Sequence, residues 1–260
     1  MMIAINRRFK FRMILVSIII SLGINLYFYF FNQQYLPYIL FFAIFFMALA
    51  ALFSYSNAKT FSTMNSLGRV WMLFAIGLLI WLFTNGVSTI YTFIYKQVFP
   101  YFLWLVAIDI VGYIVFAYAN IQLAKFVDLI KVGKPKVPLM KFALAITLGS
   151  LIFIGATLAY LNIRYGQSGY LFTVYLLADM LIAGSMLFPL LSLKNLSIQR
   201  PFTLFLSGFI VLLLAESTYF FFVISGIFEY LFVGSPQHFL YMLAFGILAL
   251  AAYDQKRQLS

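Results

Sequence analysis

The 260-residue chain is 65% hydrophobic and 9% charged, and its seventeen Lys and Arg outnumber six Asp and Glu, for a net charge of +11. A soluble chain carries about a quarter charged residues, so a soluble globular domain is excluded and a bilayer is the expected solvent. The absence of Cys and the single His exclude disulfides, iron–sulfur clusters, thiolate zinc sites, Cys nucleophiles and multi-His metal or haem centres built by this chain alone.

A helix needs roughly 20 apolar residues to cross a hydrocarbon core of about 30 Å. In chain order, stretches of that kind fall near 12–31, 36–56, 69–94, 99–126, 138–161, 169–193, 201–226 and 236–254, which predicts an all-α integral membrane protein with eight transmembrane helices. Pro37, Pro100, Pro138, Pro201 and Pro236 stand at predicted starts, where a missing N–H costs little. Pro189 alone sits inside a span, which predicts a kink or an end there. The first span has the basic start of a signal peptide. Its apolar run is longer than a signal core, however, and Asn32-Gln33-Gln34 offers no small-residue cleavage site, so a retained anchor is expected.

With eight spans, fifteen of the seventeen basic residues fall on the side of the N-terminus and only Lys96 and Arg164 on the other. By the positive-inside rule both termini are expected in the cytoplasm of a cell (plasma) membrane protein. The excess charge then forms a collar beside anionic headgroups, and nucleic acid is not implied. Its densest part, Lys131, Lys134, Lys136 and Lys141 between spans four and five, is a candidate contact for lipid or for a cytoplasmic partner.

That basic linker lies at the midpoint, and the halves echo each other. Leu73-Phe74-Ala75-Ile76-Gly77 in span three aligns with Leu204-Phe205-Leu206-Ser207-Gly208 in span seven at an offset of 131, which also pairs Asn85 with Glu216. Phe102-Leu103-Trp104-Leu105-Val106-Ala107 aligns with Phe239-Leu240-Tyr241-Met242-Leu243-Ala244 at an offset of 137. Two parallel four-helix repeats, residues 1–133 and 134–260 within one compact membrane domain, are therefore expected, related by an axis along the membrane normal.

Ionisable side chains at membrane depth are costly and usually face a bundle interior. Three acids qualify: Asp109, Asp179 and Glu216. Counting about 1.5 Å of rise per residue, Asp109 and Asp179 fall near the midplane, and Glu216 falls with Asn85 in the outer half. No Lys, Arg or His is predicted at comparable depth. The acids are therefore protonated helix bridges, the lining of a water-filled ligand pocket, or a proton- or cation-coupling site. Tyr113, Tyr175 and Tyr219 on the same helices are candidate hydrogen-bond donors to them.

Most other Tyr, including Tyr241, lie toward the predicted outer interface, as an aromatic belt or the wall of an outward cavity. His238 reads as an interfacial residue. Gly149, Gly155, Ala183, Gly184 and Ser185 read as close helix contacts.

The set Trp71, Gly77, Trp81 and Asn85, then Pro100, Trp104, Asp109, Gly112 and Tyr113, then Tyr175 and Asp179, Arg200, Gly208, Ala215-Glu216 and Ala251-Ala252 resembles the multi-span membrane sensor regions N-terminal to some bacterial and archaeal histidine kinases and diguanylate cyclases. The likeness covers about residues 69–254. It implies that Asp109 and Asp179 are the recurrent intramembrane acids of those regions, with Glu216 where an Asp is usual. No output domain follows residue 260, so signalling or assembly is expected to pass to a separate membrane or cytoplasmic protein.

Enzymatic readings are disfavoured. The Gly-x-Gly-Asp and Pro-Ala-Leu motifs of intramembrane aspartyl proteases are absent, and His238 lacks the surroundings of a Ser–His pair. No Lys at depth could hold retinal. The expected function is a non-enzymatic sensor or accessory subunit of a membrane complex, without cofactor, with an outward-facing pocket near Asp109, Asp179 and Glu216. A small proton- or cation-coupled secondary transporter is the alternative.

Overall fold

The computed structural model describes residues 2–31, 37–62, 64–95, 103–130, 168–193, 198–224 and 236–259. Among them the chain is helical, without strands. The helices are α1 (Met2–Phe31), α2 (Pro37–Phe61), α3 (Ser66–Tyr95), α4 (Leu103–Ile130), α5 (Ser168–Ser192), α6 (Gln199–Ile224) and α7 (Pro236–Leu259). Each overlaps one of the apolar stretches expected from the sequence, and the expected fifth, 138–161, lies outside the described residues. Among the described residues, four segments are long and apolar enough to cross a membrane: Leu40–Phe61, Ser66–Tyr95, Trp104–Val127 and Gln199–Thr218. Helix α5 continues through Pro189 to Ser192.

The helices close into a ring. In order around it, α2 packs on α3, α3 on α4, α4 on α5, α5 on α6, α6 on α7, and α7 back on α2, while α1 leans against α7 from outside. Large apolar side chains such as Phe45, Leu52, Phe83, Ile114 and Leu214 remain exposed on the outer surface. That exposure would be untenable in water and is ordinary against lipid.

Aromatic side chains fill the ring. Trp71 stacks on Phe202 with centroids 5.3 Å apart and Phe74 on Phe205 at 4.2 Å, which ties α3 to α6 across the interior. Phe116 of α4 meets Trp81 edge-on at 4.7 Å and Phe209 at 5.3 Å. Such pairs add about 0.5–1.5 kcal/mol beyond area burial. In a bilayer this matters more than burial itself, because lipid offers the separated helices an equally apolar surrounding.

At one end of the ring the chain is stapled by polar contacts. Asp254 is fully buried and pairs with Arg257 Nη2 at 2.6 Å and with Arg200 Nε at 3.3 Å. The Phe11 ring lies against both guanidinium groups. Nearby, Asn57 Nδ2 donates to the Ala252 carbonyl at 2.7 Å, joining α2 to α7.

The turn from α2 to α3 is built tightly at the same end. Ser62 takes a left-handed φ of 65° after the end of α2. Asn65 caps α3, its side-chain oxygen accepting the Leu67 N–H at 3.2 Å.

Candidate functional site

The three acids expected at depth come together. Asp109 and Tyr113 stand one turn apart on α4 and therefore share a face. Asp179 comes from α5, Glu216 from α6 and Tyr241 from α7. Tyr113 is buried within electrostatic reach of Asp109, Asp179, Glu216 and Tyr241, which places it at the centre of the group. Glu216 lies near enough to both Asp109 and Asp179 for the charges to act on one another. The difference in depth counted from the sequence therefore does not keep Glu216 from acting on the two aspartates. Rise per residue takes no account of helix tilt or of side-chain reach.

Two of the acids have hydroxyl donors. Tyr241 Oη donates to Glu216 Oε1 at 2.5 Å, and the Thr84 hydroxyl of α3 donates to Asp109 Oδ1. Charge-assisted O–H···O bonds are short and stronger than neutral ones. Each bond links neighbouring helices, α6 to α7 and α3 to α4.

Asp179 differs. It is wholly buried, and although the Tyr113 hydroxyl is within interacting reach, no described donor meets either carboxyl oxygen in good hydrogen-bond geometry. A buried acceptor left in this way costs about 1–3 kcal/mol, and more for a charged group. The contrast with Asp254 is direct, since one fully buried acid holds two guanidinium groups and the other holds none.

The floor of the site is Trp81. Its ring meets Tyr113 edge-on at 4.8 Å and Phe245 at 6.4 Å. Its indole N–H is buried without a partner among the described residues. The indole lies directly over Gly112, and a Cβ there would stand 2.7 Å from Nε1 and 2.8 Å from Cδ1. Replacing Gly112 by Ala is expected to push the indole off its seat and destabilise the bundle by about 1–3 kcal/mol, the usual range for overpacking. A shift in Trp81 fluorescence together with a lower unfolding temperature in detergent checks this.

Other candidates from the sequence fall elsewhere. Asn85 is exposed and spends its amide on its own helix, donating to the Trp81 carbonyl at 2.9 Å, so it does not join the acids. The side chains of Tyr175 and Tyr219, and the whole of Lys131, Lys134, Lys136 and Lys141, lie outside the described residues. His238 is half-buried, one turn before Tyr241 on α7.

Sequence reasoning missed three members of the site. In the sequence Tyr241 reads as part of the aromatic belt, Thr84 carries no mark beside Asn85, and Trp81 stands out only through the family likeness. A signal for two of them existed: Thr84–Asp109 and Glu216–Tyr241 are each 25 residues apart, bridging the third and fourth expected spans of each half. Among the described residues, no group of three or more His, Cys, Asp or Glu is arranged to hold a metal ion.

The chemistry available is that of carboxyls and hydroxyls inside an aromatic wall, suited to taking up protons or hydrogen-bond donors. No protein-family model, curated protein or solved structure matches this chain.

Proposed function

We propose that the chain is a non-enzymatic multi-pass protein of the plasma membrane, a sensor or accessory subunit of a membrane complex, whose receptor site is the cluster of Asp109, Asp179 and Glu216. The observation that carries this reading is the convergence of the three acids on Tyr113 inside the ring. Asp109 and Glu216 each also bridge a helix seam, but bridging alone would not require them to share Tyr113 with Asp179.

The reading includes eight spans in two four-span halves with cytoplasmic termini. The ring order supports the duplication. Exchanging α2, α3 and α4 for α5, α6 and α7 maps every neighbour pair of the ring onto another neighbour pair. Gly77 and Gly208, paired by the offset of 131, both open onto the next helix: a Cβ at Gly77 would stand 2.7 Å from the Phe116 ring, and one at Gly208 2.6 Å from Leu248. The basic linker, with Lys131, Lys134, Lys136 and Lys141, would face anionic headgroups or a cytoplasmic partner.

The test is purification of the tagged full chain from native membranes in mild detergent, followed by mass spectrometry. A stoichiometric second protein is expected, and recovery of the chain only as a monomer or homodimer overturns the reading. The same convergence favours a second reading, a proton- or cation-coupled carrier. That reading requires pH-dependent flux in proteoliposomes that Asp109→Asn or Asp179→Asn abolishes.

A further inference from the structure

We propose that the ligand of this cluster is a proton, taken up from the aqueous phase onto a carboxyl oxygen of Asp179 or Glu216 and returned to it, with Trp81 packed against Tyr113 at the centre of the cluster. The inference rests on the reading of the cluster as the receptor site and names its ligand.

Three observations point to a proton over a larger cation. First, Asp179 is fully buried with the Tyr113 hydroxyl in reach but no well-formed hydrogen bond and no described cation on either oxygen, so it has an unmet requirement for a positive partner at a place closed to solvent. A carboxylate in that position is too costly to keep charged without one. Second, nothing in the described protein supplies that partner. The groups acting on Asp179 are Glu216 of α6 and Tyr113 of α4, and those acting on Glu216 are Tyr241 of α7 and Asp109 of α4. None is Lys, Arg or His. Like charges so close cannot all be carried, so the acids share protons. Third, the described acids are not arranged to hold a metal ion.

The second unpartnered group is independent of the acids. The Trp81 N–H is buried without an acceptor, over Gly112 on the face of α4 that also carries Asp109 and Tyr113. A buried water needs two to four polar partners. The Trp81 N–H, the Tyr113 hydroxyl and the free Asp179 oxygens offer a donor, an amphoteric group and acceptors for such a water, which would carry the proton between carboxyls.

Uptake changes the charge around Tyr113, against which the Trp81 indole packs, and the indole reports it. The experiment uses the full chain in lipid nanodiscs with Trp71→Phe and Trp104→Phe, leaving Trp81 as the sole fluorophore, and follows its emission against pH. A sigmoidal emission shift is expected. It should be lost in the Asp179→Asn, Glu216→Gln double variant and kept in His238→Gln. Emission independent of pH, an unchanged titration in the double variant, or loss of the shift in His238→Gln each overturns the proposal.

A second measurement needs no variant of the acids. The infrared difference spectrum of the unmodified chain between the two ends of the titration should show the carbonyl band of a protonated carboxyl, and its absence also overturns the proposal. Neither measurement involves a partner. Failure here with a partner recovered therefore removes the proton alone, and a proton response with no partner removes the accessory-subunit reading alone.

Discussion

Gly68→Ala is expected to keep α2 and α3 from closing on each other. A Cβ at Gly68 would lie 2.0 Å from the Ser62 carbonyl oxygen, 2.8 Å from its carbon and 3.2 Å from the Ala58 carbonyl oxygen. Overpacking in a core costs about 1–3 kcal/mol when side chains give way. Here the obstacle is main chain, held by the Ser62 N–H to the Lys59 carbonyl at 3.3 Å and by the Asn65 N–H to the Ser62 carbonyl at 3.0 Å. The expected loss is therefore about 3 kcal/mol or more, by the same principle extended to a group that cannot rotate aside. Size-exclusion chromatography in detergent should show aggregated or proteolysed protein. Gly23→Ala and Gly86→Ala are the controls, because nothing lies within 4 Å of a Cβ at either position. They are expected to be neutral or to stabilise by about 0.5–1 kcal/mol, since alanine restricts the unfolded chain and favours helix.

The second large effect is expected from Trp71→Ala. Trp71 is fully buried and touches Phe74, Phe202 and Phe205, so it closes α3 onto α6 through the middle of the ring. In an aqueous core a Trp→Ala change costs about 3–5 kcal/mol, part of it the transfer of the side chain out of water. In a bilayer the separated helices remain in hydrocarbon, so that part falls away and the lost dispersion and ring contacts remain. The expected destabilisation is about 2–3 kcal/mol on these grounds. Denaturant titration in mixed micelles checks it, with Trp71→Phe, which keeps a ring in place, losing about half as much.

Both predictions concern what holds the ring shut, and the ring positions the site. Trp81 lies ten residues beyond Trp71, on the same helix and toward its other end. A bundle loosened at Trp71 should broaden the Trp81 environment even where the acids are intact. The proton response and the stability of the aromatic core are thus expected to weaken together, whereas the Asp179→Asn, Glu216→Gln double variant should lose the response and leave the core standing.

Several features were legible in the residues alone. The length and spacing of the apolar stretches located α2 to α7 to within about five residues and α1 at its far end, because hydrocarbon dictates the run length and leaves few ways to satisfy a backbone other than helix. Rarity singled out Asp109, Asp179 and Glu216, since an acid among apolar residues is informative wherever it points. What faces what was not legible. In water a helix shows its inner face by contrast with a polar outer one, but here the inner ring and the lipid surface are both apolar, so the period of 3.6 carries little contrast. That is why Asn85, paired with Glu216 by sequence offset, turned out to be exposed, and why Thr84 beside it was overlooked although it reaches Asp109.

Asp254 marks the same divide. The residues alone give no sign of its role, yet it is buried and pairs with Arg200 from another helix as well as with Arg257 on its own. The sequence by itself determined the helical class, the apolar spans and the identity of the acids, because bilayer thickness and the cost of burying charge act on each segment separately. Only the tertiary structure decided that Asp109, Asp179 and Glu216 meet around Tyr113, that Tyr241 and Thr84 serve two of them, and that Asp179 is left open. Those outcomes depend on helix rotation and neighbour order, which packing sets between segments far apart in the chain.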